Sequence, residues 1–218
     1  MGIGFDNAET SSVMHPGILD DLINQGVITY PSYSIYLDDI AASSGSIIFG
    51  GVDNTKWSGD LVSFPIMPYT DNAPRLQVEW TYLSLTDASG TETVLTASDL
   101  SYPVAMDTGY TTTVLPTSIF NQLYSYFGVT GPEQYGNHYV GCQLAEGYLT
   151  YGFGAGPAKT IQVPFSELAV PLPSGECLFG LLPQDGAVIS FGDSFLRSAY
   201  VNFDFGSNTI GLAQAVWT

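Results

Sequence analysis

Asp107-Thr108-Gly109 brings together residue types from which acid-base chemistry can be built. The apolar run Val104-Ala105-Met106 leads in and Tyr110-Thr111-Thr112-Thr113-Val114-Leu115 leads out, so the acid falls between a strand end and a Gly turn, with hydroxyls on both sides. A carboxylate held there is within reach of a substrate and can accept or return a proton. The alternative for such a residue is a solvated turn or a capping acid. The motif occurs once. Asp87-Ala88-Ser89-Gly90 reads as a turn, Asp185-Gly186 lacks the intervening hydroxyl, and Asp193 follows its Gly instead of preceding it. Chemistry that needs two such carboxylates finds half of its machinery in this chain.

No metal centre is expected, because His15 and His138 lie far from each other and from any CxxC spacing. No other cofactor is expected. Cys142 and Cys177 leave two readings open. A disulfide between them would tighten the enclosed loop by roughly 3 to 4 kcal/mol on a chain-entropy argument; the other reading is two unrelated buried thiols.

The elements that must position Asp107 are mostly short strands. Residues 16–25 read as a short helix, with Ile18, Leu19, Leu22 and Ile23 at helical spacing and Gly26 at the C-terminal cap. Period two then takes over. Strands are predicted from Tyr33 to Leu37, at Ile47-Ile48-Phe49, from Leu61 to Pro65, Leu76 to Leu85, Glu92 to Leu95, Pro103 to Met106 and Thr112 to Leu115. Pro116-Thr117-Ser118 opens a second helix with Ile119, Leu123 and Tyr126 or Phe127 on its buried side, and Gly128 stops it. Further strands are predicted at Tyr139 to Cys142, Tyr148 to Phe153, Ile161 to Pro164, Cys177 to Leu181 and Ala187 to Phe191. A helical turn at Asp193 to Ser198 precedes a final hairpin, Tyr200 to Phe205 and Thr209 to Ala213. The expected fold class is all-β with minor helices.

The chain has 218 residues, of which 45% are apolar, enough for a substantial core. Its formal charge is −17, with Lys56, Arg75, Lys159 and Arg197 as the cations. That balance excludes nucleic acid as a partner and disfavours an anionic membrane, since both need clustered Lys and Arg. The acidity has two readings, solubility and service at low pH, where protonated carboxylates stop repelling one another. Met1 to Asp6 lacks the basic flank and apolar run of a targeting segment, and no stretch reaches the ~20 apolar residues that would span a bilayer. Any export signal is therefore expected upstream of Met1. Arg197, between Leu196 and Tyr200, is expected in an ion pair or a carbonyl contact. Tyr33, Trp57, Trp80, Phe120 and Phe191 are expected in core or interface packing.

Four ordered segments carry a resemblance: Ser46-Ile47-Ile48-Phe49-Gly50-Gly51-Val52-Asp53, Trp57-Ser58-Gly59-Asp60-Leu61, Asp107-Thr108-Gly109, and Phe191-Gly192-Asp193-Ser194-Phe195-Leu196-Arg197-Ser198-Ala199-Tyr200-Val201, continuing through Phe203-Asp204 to Gly211-Leu212-Ala213. With them the chain resembles the pepsin-like aspartic proteases, most closely the secreted fungal enzymes, along the later part of such an enzyme. The resemblance implies one lobe of the bilobal pepsin-like acid protease fold, in which each lobe supplies one Asp from a D-[ST]-G loop to a shared cleft. Met1-Gly2-Ile3-Gly4 resembles the end of the first lobe's hydrophobic-hydrophobic-Gly element. Residues 1–30 would then be the tail of the N-terminal lobe, and residues 31–218 the connecting strand and the C-terminal catalytic lobe.

By the same resemblance, Asp107 is the catalytic carboxylate of this lobe, and Thr108 grips the opposing loop across the lobe interface. Gly109, Tyr110 and Thr111 lie against the substrate. Cys142 and Cys177 fall where the family's second lobe has its disulfide. The implied activity is endopeptidase cleavage of a polypeptide at acid pH, by a water held between two carboxylates that share a proton. The second carboxylate would come from the missing N-terminal lobe or from a second copy of the chain. Secretion is implied, with the vacuole as the alternative. Two positions depart from the family pattern. Tyr110 stands where Ser or Thr usually bonds the acid's outer oxygen, and Ser190 stands where an aliphatic is customary beside Phe191-Gly192. The competing expectation is a non-catalytic binding or inhibitory β-domain.

Overall fold

Described in the computed structural model are residues 3–4, 16–68, 75–131, 136–186 and 189–218. The helical spacing near the start becomes α1 (Ile18–Asn24), which begins two residues later than expected, after Pro16 and Gly17. It ends as Gly26 turns the chain at a φ of 69°, a conformation that favours glycine. There follow β1 (Ser32–Tyr36), β2 (Ser46–Phe49), β3 (Trp57–Pro65), β4 (Gln77–Asp87), β5 (Glu92–Val94), β6 (Tyr102–Met106) and β7 (Thr113–Leu115). Helix α2 (Thr117–Phe127) leads to β8 (Tyr139–Val140), β9 (Gly147–Phe153), β10 (Lys159–Pro164), a 3-10 turn η1 (Phe165–Leu168) and β11 (Ala169–Pro171). The chain closes with β12 (Cys177–Phe179), β13 (Leu181–Pro183), β14 (Ile189–Phe191), α3 (Asp193–Leu196), β15 (Ala199–Asp204) and β16 (Thr209–Ala215).

These strands form an antiparallel sheet in the order β2-β1-β15-β16-β3 and a larger one in the order β10-β9-β4-β6-β14, with β5 on β4. Two smaller pieces, β11-β12-β8 and β13-β7, complete the set. Parallel pairing occurs at β6 with β14 and at β7 with β13, the two places that flank Asp107. Among the described residues the fold is all-β with three short helices, as one lobe of the pepsin-like fold requires.

The core is aromatic. Phe191 of β14 lies 5.2 Å from Tyr151, 4.9 Å from Phe195 and 5.5 Å from Trp80, the first and last at edge-to-face angles of 75°. A second group, Phe120, Phe127, Phe165 and Phe179, packs α2 onto η1 and β12. Tyr33, Trp80, Phe120 and Phe191 are buried, and Trp57 lies 4.5 Å from the Tyr200 ring. Ile3, Ile18 and Leu22 also pack against the main core, and the Tyr33 hydroxyl donates to the Ile3 carbonyl at 2.8 Å.

Cys142 and Cys177 form a disulfide with Cα atoms 5.2 Å apart, which ties the loop after β8 to β12. Two details differ from the sequence reading. The stretch Cys177 to Leu181 is two strands, because the Gly180 carbonyl leaves the ladder to accept the Thr113 N–H at 2.8 Å. The expected strand end at Cys142 stops at Val140, where the disulfide loop begins. Met1, Gly2, His15 and the first two residues of the strand expected at Ala187 to Phe191 lie outside the described residues.

Candidate active site

β6 reads Tyr-Pro-Val-Ala-Met, and its alternation buries Val104 and Met106. Antiparallel β4 lies on one side, with Val78 opposite Val104, and parallel β14 on the other, with Phe191 opposite Met106. The ladder reaches the acid itself: Met106 N–H donates to the Leu76 carbonyl and Asp107 N–H to the Phe191 carbonyl, each at 3.0 Å. Asp107 therefore leaves a clamped strand rather than a free loop.

Past the strand, Tyr110 N–H returns to the Asp107 carbonyl at 3.2 Å and closes a turn. Gly109 N–H donates to Asp107 Oδ1 at 2.9 Å and so orients the carboxylate. A Cβ on Gly109 would sit 3.1 Å from that oxygen, so this position has little room for a side chain. Asp107 is half-buried, whereas Thr108, Gly109, Tyr110 and Thr111 are exposed, Tyr110 by 45%.

The loop is held from beneath by α3. The first N–H groups of a helix have no partner within it, and α3 has no side-chain cap. Its amides instead donate to the loop, Asp193 N–H to the Tyr110 carbonyl at 2.8 Å and Ser194 N–H to the Thr111 carbonyl at 3.1 Å. Gly192 makes this approach feasible, because a Cβ there would overlap the carbonyl oxygens of Tyr110 and Thr112. Buried Ser194 adds side-chain bonds, donating to the Gly180 carbonyl at 2.6 Å and lying 3.0 Å from Thr113 Oγ1.

Asp193 is a second acid beside the first. Burial raises its carboxyl above the ordinary range, Arg197 works against that, and the charge of Asp107 adds to it. Sequence reasoning set Asp193 aside because it follows a glycine. The signal was nevertheless in the Gly192-Asp193-Ser194 run quoted for the resemblance. Arg197 makes a carbonyl contact, with Nη1 donating to the Asp39 oxygen at 3.3 Å. Asp87 is the turn acid expected, accepting from Ser89 and Thr91, and Asp185 caps α2 by accepting the Thr117 N–H at 2.9 Å. His138 is buried and packs edge-on to Phe120 and Tyr124.

A model of the eukaryotic aspartyl protease family matches residues 1–215. The chain belongs to that family. Among aspartyl proteases it is similar to secreted aspartic protease 8 of Candida albicans, 38% identical over 218 residues that cover 100% of this chain and 49% of the relative. It is 33% identical to an acid protease of Saccharomycopsis fibuligera, over 99% of this chain and 56% of the relative. A probable aspartic-type endopeptidase, opsB, of Aspergillus oryzae is 32% identical over 98% of this chain and 46% of its own length. The chain thus spans about half the length of these curated aspartyl protease relatives. Among the described residues no helix is long and apolar enough to cross a membrane.

Proposed function

We propose that this chain is the C-terminal catalytic lobe of a secreted, acid-acting aspartic endopeptidase, with Asp107 as one of the two carboxylates that activate water. The observation that carries the reading is the clamped loop, in which Asp107 is oriented by the Gly109 amide and backed by the first turn of α3. Residues 31–218 are the lobe and residues 1–30 the tail of its N-terminal partner. The relatives' names support secretion and acid proteolysis.

Peptide hydrolysis of this kind requires one carboxyl to take a proton from water while the other donates to the peptide carbonyl. Asp107 supplies one member. The other comes with the N-terminal lobe, against which Thr108 turns its hydroxyl, and Gly109, Tyr110 and Thr111 form the exposed rim along which a polypeptide lies. The test is to produce the chain together with an N-terminal lobe and assay peptide cleavage at acid pH. Activity blocked by a pepstatin-like inhibitor is expected from the pair and not from the chain alone. Inactivity of the well-folded pair would overturn the reading, and cleavage by the chain alone would point to two copies sharing a site.

A second reading, a non-catalytic binding or inhibitory domain, is favoured by Tyr110, whose hydroxyl stands farther from its own backbone than the Ser or Thr hydroxyl that would bond the acid's outer oxygen, and whose side chain is exposed. In the two-lobe protein, a gain of tenfold or more in kcat for Tyr110→Thr supports that reading. An unchanged rate supports catalysis with tyrosine in place.

A further inference from the structure

Glu167 lies in η1 between Phe165 and Leu168, and it is only 1% exposed. Its Oε1 accepts the Ile40 N–H at 3.2 Å, and its Oε2 is buried with no hydrogen-bond partner. An ionised carboxylate has about four lone-pair sites to satisfy, and one neutral amide does not meet that demand away from water. The neutral acid suits the site better.

The charged groups facing it come from two directions. The loop after β1 brings Asp38 and Asp39, and the end of α3 brings Arg197. Asp38 already accepts from Asp39 N–H at 2.9 Å and from Thr218 N–H and Oγ1 at 3.2 and 3.1 Å, and hydrogen bonds of this kind outweigh burial and keep its carboxyl below the ordinary range. Arg197 holds the Asp39 carbonyl. The other elements against η1 bring Tyr148 and Tyr151 from β9, Lys159 from β10 and Asp193 from α3. Lys159 is engaged with the Asp60 carbonyl at 2.8 Å.

We propose that Glu167 is a proton-operated latch. Protonated, it fastens the Asp38–Ile40 segment onto η1 and the end of α3; ionised, it releases that segment and slackens the support of the Asp107 loop. Three bonds through Gly180 link the latch to the loop. Gly180 N–H donates to the Leu168 carbonyl at the end of η1 at 2.8 Å, and the Gly180 carbonyl in turn receives Thr113 N–H and the Ser194 hydroxyl. Arg197 is the residue that follows α3, whose first turn holds the Tyr110 and Thr111 carbonyls.

Burial pushes the Glu167 carboxyl up to about 7 from an ordinary 4.5, against the smaller opposing pull of the Ile40 amide and Arg197. Because the folded value lies above the unfolded one, this contribution is complete below about pH 4.5 and is lost as the pH rises towards 7. The latch is closed in acid and gives way as the pH passes about 7.

The test is amide hydrogen exchange and thermal unfolding of the intact chain between pH 5 and 8, beside Glu167→Gln. The amide variant keeps an acceptor for Ile40 N–H and has no proton to lose. In the wild type, the protection factor of the Ile40 amide should fall by roughly tenfold or more across this range and Tm should fall with it. In the variant both should be nearly flat. Parallel profiles in the two proteins would overturn the latch. Should the variant fail to fold, carbon NMR of glutamate-labelled wild type is read beside Ile40 exchange: a carboxyl that titrates near 7 together with the loss of Ile40 protection upholds the proposal, and ordinary values for every glutamate, or Ile40 protection that does not follow the titration, defeat it. None of these readouts involves proteolysis, so the outcome is separate from that of the activity assay.

Discussion

Asp107 and Ser194 sit a few bonds apart yet carry opposite duties. Among the described residues the carboxylate of Asp107 accepts a hydrogen bond from the Gly109 amide, which an Asn carboxamide oxygen can keep. Asp107→Asn is therefore expected to abolish cleavage in the two-lobe protein while leaving Tm within a degree or two, as read by calorimetry beside the assay. Ser194 is different, because its hydroxyl is buried and bonded to Gly180 and Thr113. Ser194→Ala strands the Thr113 hydroxyl and should cost about 1 to 3 kcal/mol in denaturant unfolding. The acid was legible in the sequence because D-[ST]-G is a local pattern. The serine was not, because its partners come from Gly180 and Thr113, distant along the chain.

At the scale of elements, the disulfide and the small glycines decide how the strands meet. The bridge closes a separation of 35 residues, and replacing both cysteines by Ser should destabilise the lobe by about 4 kcal/mol, visible as a lower urea midpoint. Gly192→Ala should be worse, since the added methyl collides with the Tyr110 and Thr112 carbonyls and forces α3 off the Asp107 loop. Little folded protein is expected from it by circular dichroism. Alternation predicted β6, which has a buried and a less buried side, whereas β4 was legible from its run of apolar and β-branched residues and is buried on both sides from Leu83 to Thr86. Alternation did not predict η1 and β11, which are short, flanked by Pro164 and Pro171, and formed because Leu168 and Phe179 need a surface to cover. The single strand expected over Cys177 to Leu181 failed for a related reason. Gly180 makes its hydrogen bonds to η1 and β7 and not along one ladder.

For the whole molecule, two sets of carboxylates pull stability in opposite directions with pH. Asp38 and Asp204 lie below their ordinary values because hydrogen bonds to their charged forms outweigh burial. Their stabilisation is present above about pH 4 and is lost as acid protonates them. Glu167 and Asp193 are raised by burial, and their contribution is lost as the pH climbs, on the order of 3 kcal/mol for Glu167 between 4.5 and about 7. Stability should thus peak in mildly acid solution and decline towards both extremes in a Tm series from pH 2 to 8. Net charge reinforces the upper limb, since a chain of −17 repels itself most at neutral pH. Composition left solubility and acid service equally open; buried Glu167 adds a structural reason for the second.

By itself the sequence determined the all-β class, the place of Asp107 at a strand end and the family resemblance. All of these depend on periodicity, composition and short motifs, which are properties of neighbouring residues. Only the tertiary structure decided that α3 caps itself on the Asp107 loop, that Asp193 stands between the charges of Asp107 and Arg197, that Asp185 caps a distant helix, and that Glu167 is buried. Those facts arise when segments far apart in the chain exclude water together, and burial is a property of the packed molecule that no local pattern encodes.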